Sequence, residues 1–224
     1  ELTEVPAKVV LLGGGPISLE MATAFRDLGS KVAVVELQDR LISTEDPLVS
    51  STIEAALRER GVEVFTGTSV ERFDKETAHL GNGQTIAHVD RVLLAVGRRP
   101  KLTDLGLDIA GVEYTDLGIT ADTFGRTNVD GIYAVGDVTG NTLTTHGANS
   151  IGRRAIRAIA LPYIPRIGSP RVLPNAVFSR PEIASVGMSV DKIDALPRVS
   201  RRRYTVQVAD MDRGYTDDVK HGVV

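Results

Sequence analysis

A glycine-rich turn between an apolar run and a helix-like segment constrains the fold of this chain more than any other feature. Val9 to Leu12 form a strand of buried character that leads into Gly13-x-Gly15-x-x-Ser18. The first glycine permits a tight turn, the second lets a backbone approach a pyrophosphate, and the small third residue lets the next helix pack on the strand. Such a helix directs its free N–H groups and the positive end of its dipole at phosphates. The sequence therefore predicts a βαβ dinucleotide site.

An acidic residue stands where the second strand of that unit would end. Lys31 to Val35 form the strand, and Glu36 follows Gly13 by 23 residues. A carboxylate at this place accepts hydrogen bonds from the ribose hydroxyls of an adenosine and repels a 2′-phosphate, so the pattern favours NAD over NADP. Arg40 lies four residues further on, which leaves some use of NADPH open. The alternative interpretation is a structural turn with an incidental acid, since any tight strand-to-helix turn favours glycine.

Composition excludes several classes of protein. The 224 residues are 42% hydrophobic and 25% charged with a net charge of −3, which lacks the basic excess of a nucleic-acid binder. No apolar run approaches the roughly 20 residues of a membrane span, and no leader segment is recognisable, so we expect a soluble cytoplasmic protein without membrane or nucleic-acid partners. The absence of cysteine excludes a disulfide, a thiolate nucleophile and a cysteine-ligated metal within these residues. The histidines have no metal-ligand spacing, so no metal site is predicted.

Hydrophobic periodicity predicts an α/β order of elements in the first part of the chain. The predicted elements are helices at about 17–28 and from Asp46-Pro47 to Gly61, and strands at 62–66, 70–73, 78–80, 85–87 and 91–96. The three short strands, with Asn82-Gly83 as a hairpin turn, predict a β-meander in place of a crossover helix. The run 91–96 is nearly all apolar, which predicts a central strand covered on both faces.

A second nucleotide signal lies further along the chain. Residues 132–135 read as a strand that delivers Asp137 at its carboxyl end, where ligands bind in open sheets. By itself, an aspartate after a strand is more commonly a turn former or a helix cap. A helix is expected from about residue 148, with a solvated basic face and a buried side of Ile151, Ala155, Ile156, Ile159 and Ala160. Residues 162–170 read as a stiff connector, followed by a strand at 176–178 and a helix capped by Ser189.

Five motifs stand in a fixed order along the chain. They are Gly13-Gly14-Gly15-Pro16-Ile17-Ser18-Leu19-Glu20, Val34-Val35-Glu36, Val96-Gly97-Arg98-Arg99-Pro100, Tyr133-Ala134-Val135-Gly136-Asp137, and the run from Phe178 to Gly187. This order and spacing resemble the flavin-dependent pyridine nucleotide–disulfide oxidoreductases. That family includes dihydrolipoamide dehydrogenase, glutathione reductase and mercuric reductase, with related flavin transhydrogenases and quinone reductases. The resemblance implies a Rossmann-like NAD domain at 1–98, the carboxy-terminal part of an FAD domain at 99–166 and the start of an α+β dimerisation domain at 167–224.

The resemblance also implies individual roles. Gly13, Gly14, Gly15, Pro16, Ile17, Ser18 and Glu20 would hold NAD, with Glu20 near the nicotinamide, Glu36 on the adenosine ribose, Val70 beside the adenine and Gly97 close to the cofactor. Gly136 and Asp137 would bind the FAD ribitol, and Leu143, Thr144, Thr145 and His146 would run past the isoalloxazine. A plain alternative for Glu20 is an acid in a helix interior that faces solvent.

Several parts of the family pattern are not among these residues. The amino-terminal FAD half, the redox cysteine pair and the carboxy-terminal His-Pro…Glu base are missing, and no histidine here precedes proline. The chain starts at Glu1 rather than methionine and stops at Val224 after a short strand-like run, so we expect a piece of a longer polypeptide. FAD and NAD(H) are the implied cofactors, and a homodimer is the implied assembly.

The predicted function is that of an oxidoreductase that passes hydride from NAD(P)H, with NADH preferred, to flavin and on to a disulfide or another acceptor. Two alternatives stay open within these residues: a non-catalytic NAD-binding module, and a thiol-free flavin transhydrogenase or quinone reductase. A short gene product whose FAD half comes from another subunit is a third. With half a flavin site and no redox thiol, this chain alone is expected to retain FAD weakly and to show negligible turnover.

Overall fold

The computed structural model describes residues 2–140, 143–161, 173–197, 200, 202–216 and 222–224. The chain forms two compact units, one made of Glu1–Gly97 with Asn175–Val224 and the other of Arg98–Pro174. Each unit has a buried apolar core of its own. Among the described residues, no helix combines the length and the apolar character that crossing a membrane requires.

The first unit opens with a parallel sheet and an antiparallel meander. In chain order its elements are β1 (Lys8–Leu12), α1 (Pro16–Asp27), β2 (Lys31–Val35), α2 (Pro47–Glu59), β3 (Val62–Phe65), β4 (Val70–Asp74), β5 (Thr77–Leu80), β6 (Thr85–Ile86) and β7 (Arg91–Leu94). Strands β3, β2, β1 and β7 pair in parallel in that order, while β4, β5 and β6 form a separate antiparallel sheet. The predicted α/β fold, with a β-meander in place of one crossover helix, is confirmed.

Both crossover helices begin as the sequence predicts and pack on one face of the sheet. Asp46 caps α2, since its side chain accepts a hydrogen bond from the Leu48 N–H at 2.8 Å, and Pro47 takes the first helical position. The core on this face includes Val9, Leu11, Leu19, Ala22, Val34, Ile53 and Leu57. On the other face, Val10, Ala33 and Val35 pack with Ala78, Leu80 and Ile86 of the meander.

Strand β7 lies at the edge of the sheet, so the prediction of a central strand covered on both faces was wrong. Among the described strands it pairs with β1 alone. Leu94 is 72% exposed and Val96 is 76% exposed, and the strand ends at Leu94 rather than Val96. An apolar run fits a buried face, but it does not determine which neighbouring elements cover that face.

The second unit is built from short elements and one long helix. In chain order they are α3 (Leu107–Ala110), β8 (Tyr114–Thr115), β9 (Gly118–Ile119), a 3₁₀ helix (Gly136–Thr139) and α4 (Thr145–Ala160). Strands β8 and β9 form an antiparallel hairpin. The small core consists of Val112, Ile119 and Ala134, with Leu102, Leu107 and Val138 packed against it.

The strand predicted at 132–135 does not form. Within the described chain, Tyr133 makes a single antiparallel bridge with Arg126. A strand needs a neighbour along several residues to pair its backbone N–H and C=O groups, and one bridge does not provide this. The aspartate that follows therefore stands on a 3₁₀ helix instead of at a strand end.

Helix α4 begins earlier than predicted and buries a narrower stripe. It starts at Thr145 rather than near residue 148. Its buried side is the line of Ile151, Ala155 and Ala158. Ile156 and Ile159, predicted for the buried side, are 67% and 56% exposed, because they lie one position further round the helix than that line.

The last segment returns to the first unit. Its elements are β10 (Pro174–Val177), β11 (Ile183–Val186), α5 (Val190–Asp194), a 3₁₀ helix (Val208–Asp210) and α6 (Asp212–Thr216), and β10 pairs with β11. Val177 and Ile183 are buried in the same core as Leu19 and Ala22 of α1. The assignment of 99–166 and 167–224 to two further domains stays a prediction, and the connector predicted at 162–170 lies outside the described residues.

Candidate functional site

The turn between β1 and α1 makes close backbone contacts that only glycine allows. Gly13 has a φ of +102°, and a Cβ there would lie 2.5 Å from the carbonyl oxygen of Ala95. A Cβ on Gly14 would lie 2.8 Å from Leu41 Cδ2 and 3.0 Å from Glu36 Cγ. Gly13 is therefore required by the turn itself, before any ligand is considered, whereas a side chain at Gly14 would displace the side chains of Leu41 and Glu36.

Helix α1 begins at an open end. Gly15 is the N-cap, Pro16 is the first helical residue, and no side chain among the described residues caps the helix. A Cβ added to Gly15 would meet no atom within 4 Å. The first N–H groups of a helix need acceptors, and the oxygens of an anion supply them. The start of α1 therefore offers backbone N–H donors and open space at Gly15, two features that an anion site requires.

The carboxylate of Glu36 is held against the same turn. One oxygen, Oε2, accepts a hydrogen bond from the Gly14 N–H, and Oε1 accepts one from the Gln38 N–H at 2.7 Å. Strand β2 ends at Val35, so this acid stands at the carboxyl end of the strand. Parallel pairing of β1 with β2 closes the 22 residues that separate Gly14 from Glu36. The strand-end acid and the glycine turn are thus one local structure.

A loop after β2 forms a wall of the turn that sequence reasoning missed. The Ile42 N–H donates to the Gly14 carbonyl oxygen at 2.8 Å, and Leu41 is fully buried beside it. These contacts join residues that are distant in sequence, and no local pattern marks them. The loop therefore holds the carbonyl group of Gly14, and Glu36 holds its N–H group.

Arg40 belongs to this loop and is engaged by it. Its guanidinium donates to the Ser43 carbonyl oxygen at 2.7 Å, to the Glu45 carbonyl oxygen at 2.7 Å and to Ser50 Oγ at 2.9 Å. These three bonds tie the loop to the first turns of α2. Arg40, the residue for which the sequence left some use of NADPH open, thus has a structural role.

Glu20, in the second turn of α1, is also hydrogen-bonded. Its Oε1 accepts a hydrogen bond from the Phe178 N–H at 3.1 Å. Phe178 directly follows β10 and opens the fifth sequence motif. Glu20 is therefore held by the backbone of the returning segment, a contact that the sequence did not predict.

The other predicted residues of this unit lie near element ends. Ser18 is fully buried, and its hydroxyl has no partner among the described residues. Ile17 and Val70 are half-buried, and Val70 packs against the core of the meander. Gly97 is exposed beyond β7. Their nucleotide roles stay predictions.

In the second unit, Gly136 and Asp137 form a fixed turn. Thr139 Oγ1 donates to the Gly136 carbonyl oxygen at 2.8 Å, and the Gly140 N–H donates to the Asp137 carbonyl oxygen at 3.0 Å. Gly136 is buried against Ala148 of α4, while Asp137 is exposed. The turn therefore presents an exposed carboxylate next to the start of α4.

Residues 143–146 lead into α4. Thr144 is its N-cap and accepts a hydrogen bond from the Gly147 N–H at 3.2 Å, a role that the usual preference for threonine at helix starts could have indicated. Thr145 and His146 are exposed in the first turn. The Leu143 carbonyl oxygen accepts a hydrogen bond from Arg98 Nη1 at 3.5 Å. Within the described ranges, no cluster of three or more side chains suited to hold a metal ion occurs.

A glycine turn, an open helix end and an acid at the end of the second strand define a dinucleotide-binding α/β protein. A family model described as Pyridine nucleotide-disulphide oxidoreductase matches residues 1–159. The chain belongs to this family, which confirms the resemblance inferred from the five motifs.

Characterised relatives agree with the family. Dihydrolipoyl dehydrogenase from Bacillus subtilis (strain 168) is 38% identical over 192 residues, which are 84% of this chain and 42% of that protein. Dihydrolipoyl dehydrogenase from Chlamydia muridarum (strain MoPn / Nigg) is 37% identical over 196 residues, 84% of this chain and 41% of that protein. These relatives are enzymes of a type that uses FAD and NAD(H), so the predicted enzyme class and cofactors are confirmed at the level of the family.

Solved structures agree with the fold. The Cu(II) complex of the HOCl-induced flavoprotein disulfide reductase RclA from Escherichia coli has a TM-score of 0.86 and 29% identity, with 100% of this chain and 52% of that chain covered. LpdA from Mycobacterium tuberculosis has a TM-score of 0.86 and 30% identity, with 99% and 49% covered. This chain thus spans about half the length of the proteins it matches, or less.

Proposed function

We propose that this chain provides the NAD(H) site and part of the FAD site of an oxidoreductase that passes hydride from NADH to flavin and on to a disulfide or another acceptor. One observation carries the proposal: the Glu36 carboxylate is bonded to the Gly14 N–H beside the open end of α1. A carboxylate that can accept hydrogen bonds from ribose, next to backbone donors that can bind pyrophosphate, supports the proposal. Membership of the family supports the same assignment.

In the first unit, the roles divide along the nucleotide. The N–H groups at the start of α1, in the segment Gly13 to Ser18, bind the pyrophosphate. Glu36 accepts hydrogen bonds from the adenosine ribose, and Val70 lies beside the adenine. Glu20 lies at the nicotinamide end, where its contact with the Phe178 N–H fixes the carboxylate. Gly97 leaves room for close approach of the cofactor.

In the second unit, Asp137 accepts hydrogen bonds from the ribitol of FAD, with Gly136 as the buried residue of the same turn. The segment from Leu143 to His146, at the start of α4, runs past the isoalloxazine. The chemistry that the two cofactors supply when bound is hydride transfer from NADH to flavin. The residues of this chain bind the two cofactors and orient them.

The site favours NADH over NADPH. The 2′-phosphate of NADPH would lie against the Glu36 carboxylate, and the two negative charges would repel each other at close range. Arg40 is committed to Ser43, Glu45 and Ser50, so binding a phosphate would require it to leave three hydrogen bonds. Specificity therefore rests on Glu36, with Arg40 kept away from the ribose by its own loop.

For the whole protein we propose a cytoplasmic homodimer, a proposal supported by the family resemblance. Light scattering coupled to size-exclusion chromatography gives the mass directly. A single-chain mass at micromolar concentration would contradict the assembly. Cell fractionation tests the compartment in the same preparation.

Calorimetry on the flavin-loaded protein tests the nucleotide site. NADH is expected to bind at least about tenfold more tightly than NADPH, because one charge-assisted contact contributes an energy of this order. The variant E36Q is expected to lose roughly tenfold in NADH affinity. The matched control is D39N, which removes the same charge from an exposed position in the same loop and is expected to change NADH affinity by less than about twofold.

Two outcomes would contradict the proposal. Equal or tighter binding of NADPH by the natural protein would overturn the specificity. Equal behaviour of E36Q and D39N would remove Glu36 from the site. Bleaching of the flavin absorbance by NADH tests the redox function separately, since a non-catalytic module would bind NADH without reducing flavin.

A further inference from the structure

Three side chains of α1 contact the segment that follows β10, two through its backbone and one through a side chain. Glu20 Oε1 accepts a hydrogen bond from the Phe178 N–H at 3.1 Å, and Thr23 Oγ1 accepts one from the Arg180 N–H at 3.3 Å. Asp27 Oδ2 forms an ion pair with Arg180 Nη1 at 3.2 Å. Positions i, i+3 and i+7 of a helix lie along one face, so the three contacts form a single line. We call residues 178–180 and their three partners the α1 tether.

Thr23 is the central contact of the α1 tether. Its side chain is nearly fully buried, and its Oγ1 also donates to the Leu19 carbonyl oxygen at 3.0 Å. The hydroxyl hydrogen is thus committed, which leaves a lone pair to accept the Arg180 N–H. The ion pair of Arg180 with Asp27 joins side chains that are 68% and 38% exposed, where solvent screening leaves little net energy. Thr23 therefore carries more of the α1 tether than the ion pair does.

The backbone around the α1 tether is anchored in the core. Val177 is 1% exposed and packs in the core beneath α1, and Ser179 is 1% exposed with its Oγ donating to the Pro181 carbonyl oxygen at 2.7 Å. Moving this segment outward would expose Val177 and break the Thr23 contact together. The backbone at Phe178 is thus held by the buried residues before and after it, Val177 and Ser179, and its N–H is directed at Glu20.

We propose that Thr23 is a positioning residue for hydride transfer: by binding the Arg180 N–H, it keeps the Phe178 N–H on Glu20 and so orients the Glu20 carboxylate. This inference rests on the proposed function, in which Glu20 lies at the nicotinamide end of NADH. The glycine turn and Glu36 serve the other end of the nucleotide. Thr23 therefore affects the orientation of the nicotinamide and leaves recognition of the adenosine diphosphate unchanged.

The flavin-loaded protein and three variants test this role. T23V keeps the shape of the side chain and removes the hydroxyl, T23S restores the hydroxyl, and T52V is the matched control. Thr52 makes the same bond to the carbonyl four residues earlier, Leu48, at 2.7 Å in α2. Stopped-flow reduction of flavin by NADH reports on the nicotinamide end, and the affinity for ADP-ribose reports on the other end.

In T23V, flavin reduction by NADH is expected to slow about fivefold, the effect of one lost neutral hydrogen bond, while the Kd for ADP-ribose changes by less than about twofold. T23S and T52V are expected to stay within about twofold of the natural rate. The proposal is overturned if T23V and T52V have the same rate. It is also overturned if T23V weakens ADP-ribose binding as much as it slows reduction, because that pattern marks a general structural loss.

Amide hydrogen exchange at Phe178 and Arg180, without nucleotide, separates this proposal from the proposed function. T23V is expected to speed exchange of both amides by about fivefold. Unchanged exchange would overturn the α1 tether, whatever the enzyme does. If T23V speeds exchange of these amides but NADH does not reduce the flavin of the natural protein, the proposed function and the positioning role fail. The α1 tether then still stands.

Discussion

The two units hold their proposed nucleotide residues in different ways. In the first, Gly14 and Glu36 stand at the ends of two paired strands, and a hydrogen bond joins them. In the second, Asp137 stands on a 3₁₀ helix whose neighbouring residue Tyr133 makes one bridge within the described chain. The first arrangement takes its geometry from a sheet, and the second from the packing of a turn on a helix. Sites built on regular elements are held more precisely than sites on turns.

The cores beneath these residues differ as well. The first unit buries both faces of β1 and β2, against the helices on one side and the meander on the other. The second has a small core around Val112, Ile119 and Ala134, and leaves Ile156 and Ile159 of its long helix exposed. Substitutions in the core of the first unit should therefore disturb its site strongly, whereas substitutions in the second unit should disturb its site less.

The largest effect is expected at the glycine turn of the first unit. G13A places a Cβ 2.5 Å from the Ala95 carbonyl oxygen, a backbone atom that cannot move without the sheet. We expect a loss of more than about 4 kcal/mol in the free energy of unfolding. G29A is the control, since Gly29 has a similar φ of +96° but open space around its Cβ, and it should cost about 1 kcal/mol. Urea denaturation followed by circular dichroism measures both, and equal losses would refute the clash.

A pair of isoleucines compares the two cores directly. Ile53 in α2 is 1% exposed and Ile156 in α4 is 67% exposed. I53A is expected to lose about 3 kcal/mol of stability because it opens a cavity, and I156A should stay within about 0.5 kcal/mol. The same denaturation experiment measures both variants. A loss for I156A as large as that for I53A would show that this side of α4 is covered in solution.

Local patterns could predict much of the first unit. The Asp46-Pro47 helix start, the glycine turn and the Asn82-Gly83 hairpin each depend on residues within one turn or two, so their signals are present in short stretches. The position of Glu36, which directly follows β2, could be predicted near the glycine turn because parallel strands of a βαβ unit end at the same edge.

Contacts between distant segments could not be predicted in this way. The bond from the Phe178 N–H to Glu20 joins residues 158 positions apart, and its donor is a backbone group that every residue except proline carries. The edge position of β7 and the missing strand at 132–135 have the same cause. Whether an apolar run becomes a central strand depends on its neighbours in space, which the run itself does not encode.

The two helix caps offer a smaller test with a pH signature. The backbone N–H of Leu48, and after it Arg203, hold the pKa of the Asp46 carboxyl below its ordinary value of 3.8. Because the folded pKa is the lower one, the stabilisation is complete above the unfolded value and is lost as the pH falls through the folded value. D46A should therefore cost about 1 kcal/mol at pH 7 and progressively less toward pH 2.

T144A removes the corresponding cap of α4 and should also cost about 1 kcal/mol, at every pH, because a hydroxyl does not titrate in this range. Denaturation curves at neutral and acid pH give both differences. A cost for D46A that stays constant down to pH 2 would contradict the ionic character of that cap.

The smallest effects are expected at two buried hydroxyls, one in each unit. Ser18 Oγ has no partner among the described residues, whereas Thr139 Oγ1 donates to the Gly136 carbonyl oxygen at 2.8 Å. S18A removes an unsatisfied polar atom and should raise the free energy of unfolding by about 0.5 kcal/mol, while T139V removes one hydrogen bond to a carbonyl of the 3₁₀ helix and should lower it by a similar amount. Opposite signs in thermal denaturation would show that the sheet-based unit carries a polar atom its fold does not use. If S18A is destabilising instead, the Ser18 hydroxyl has a partner in solution, and the third position of the glycine turn does more than provide a small side chain.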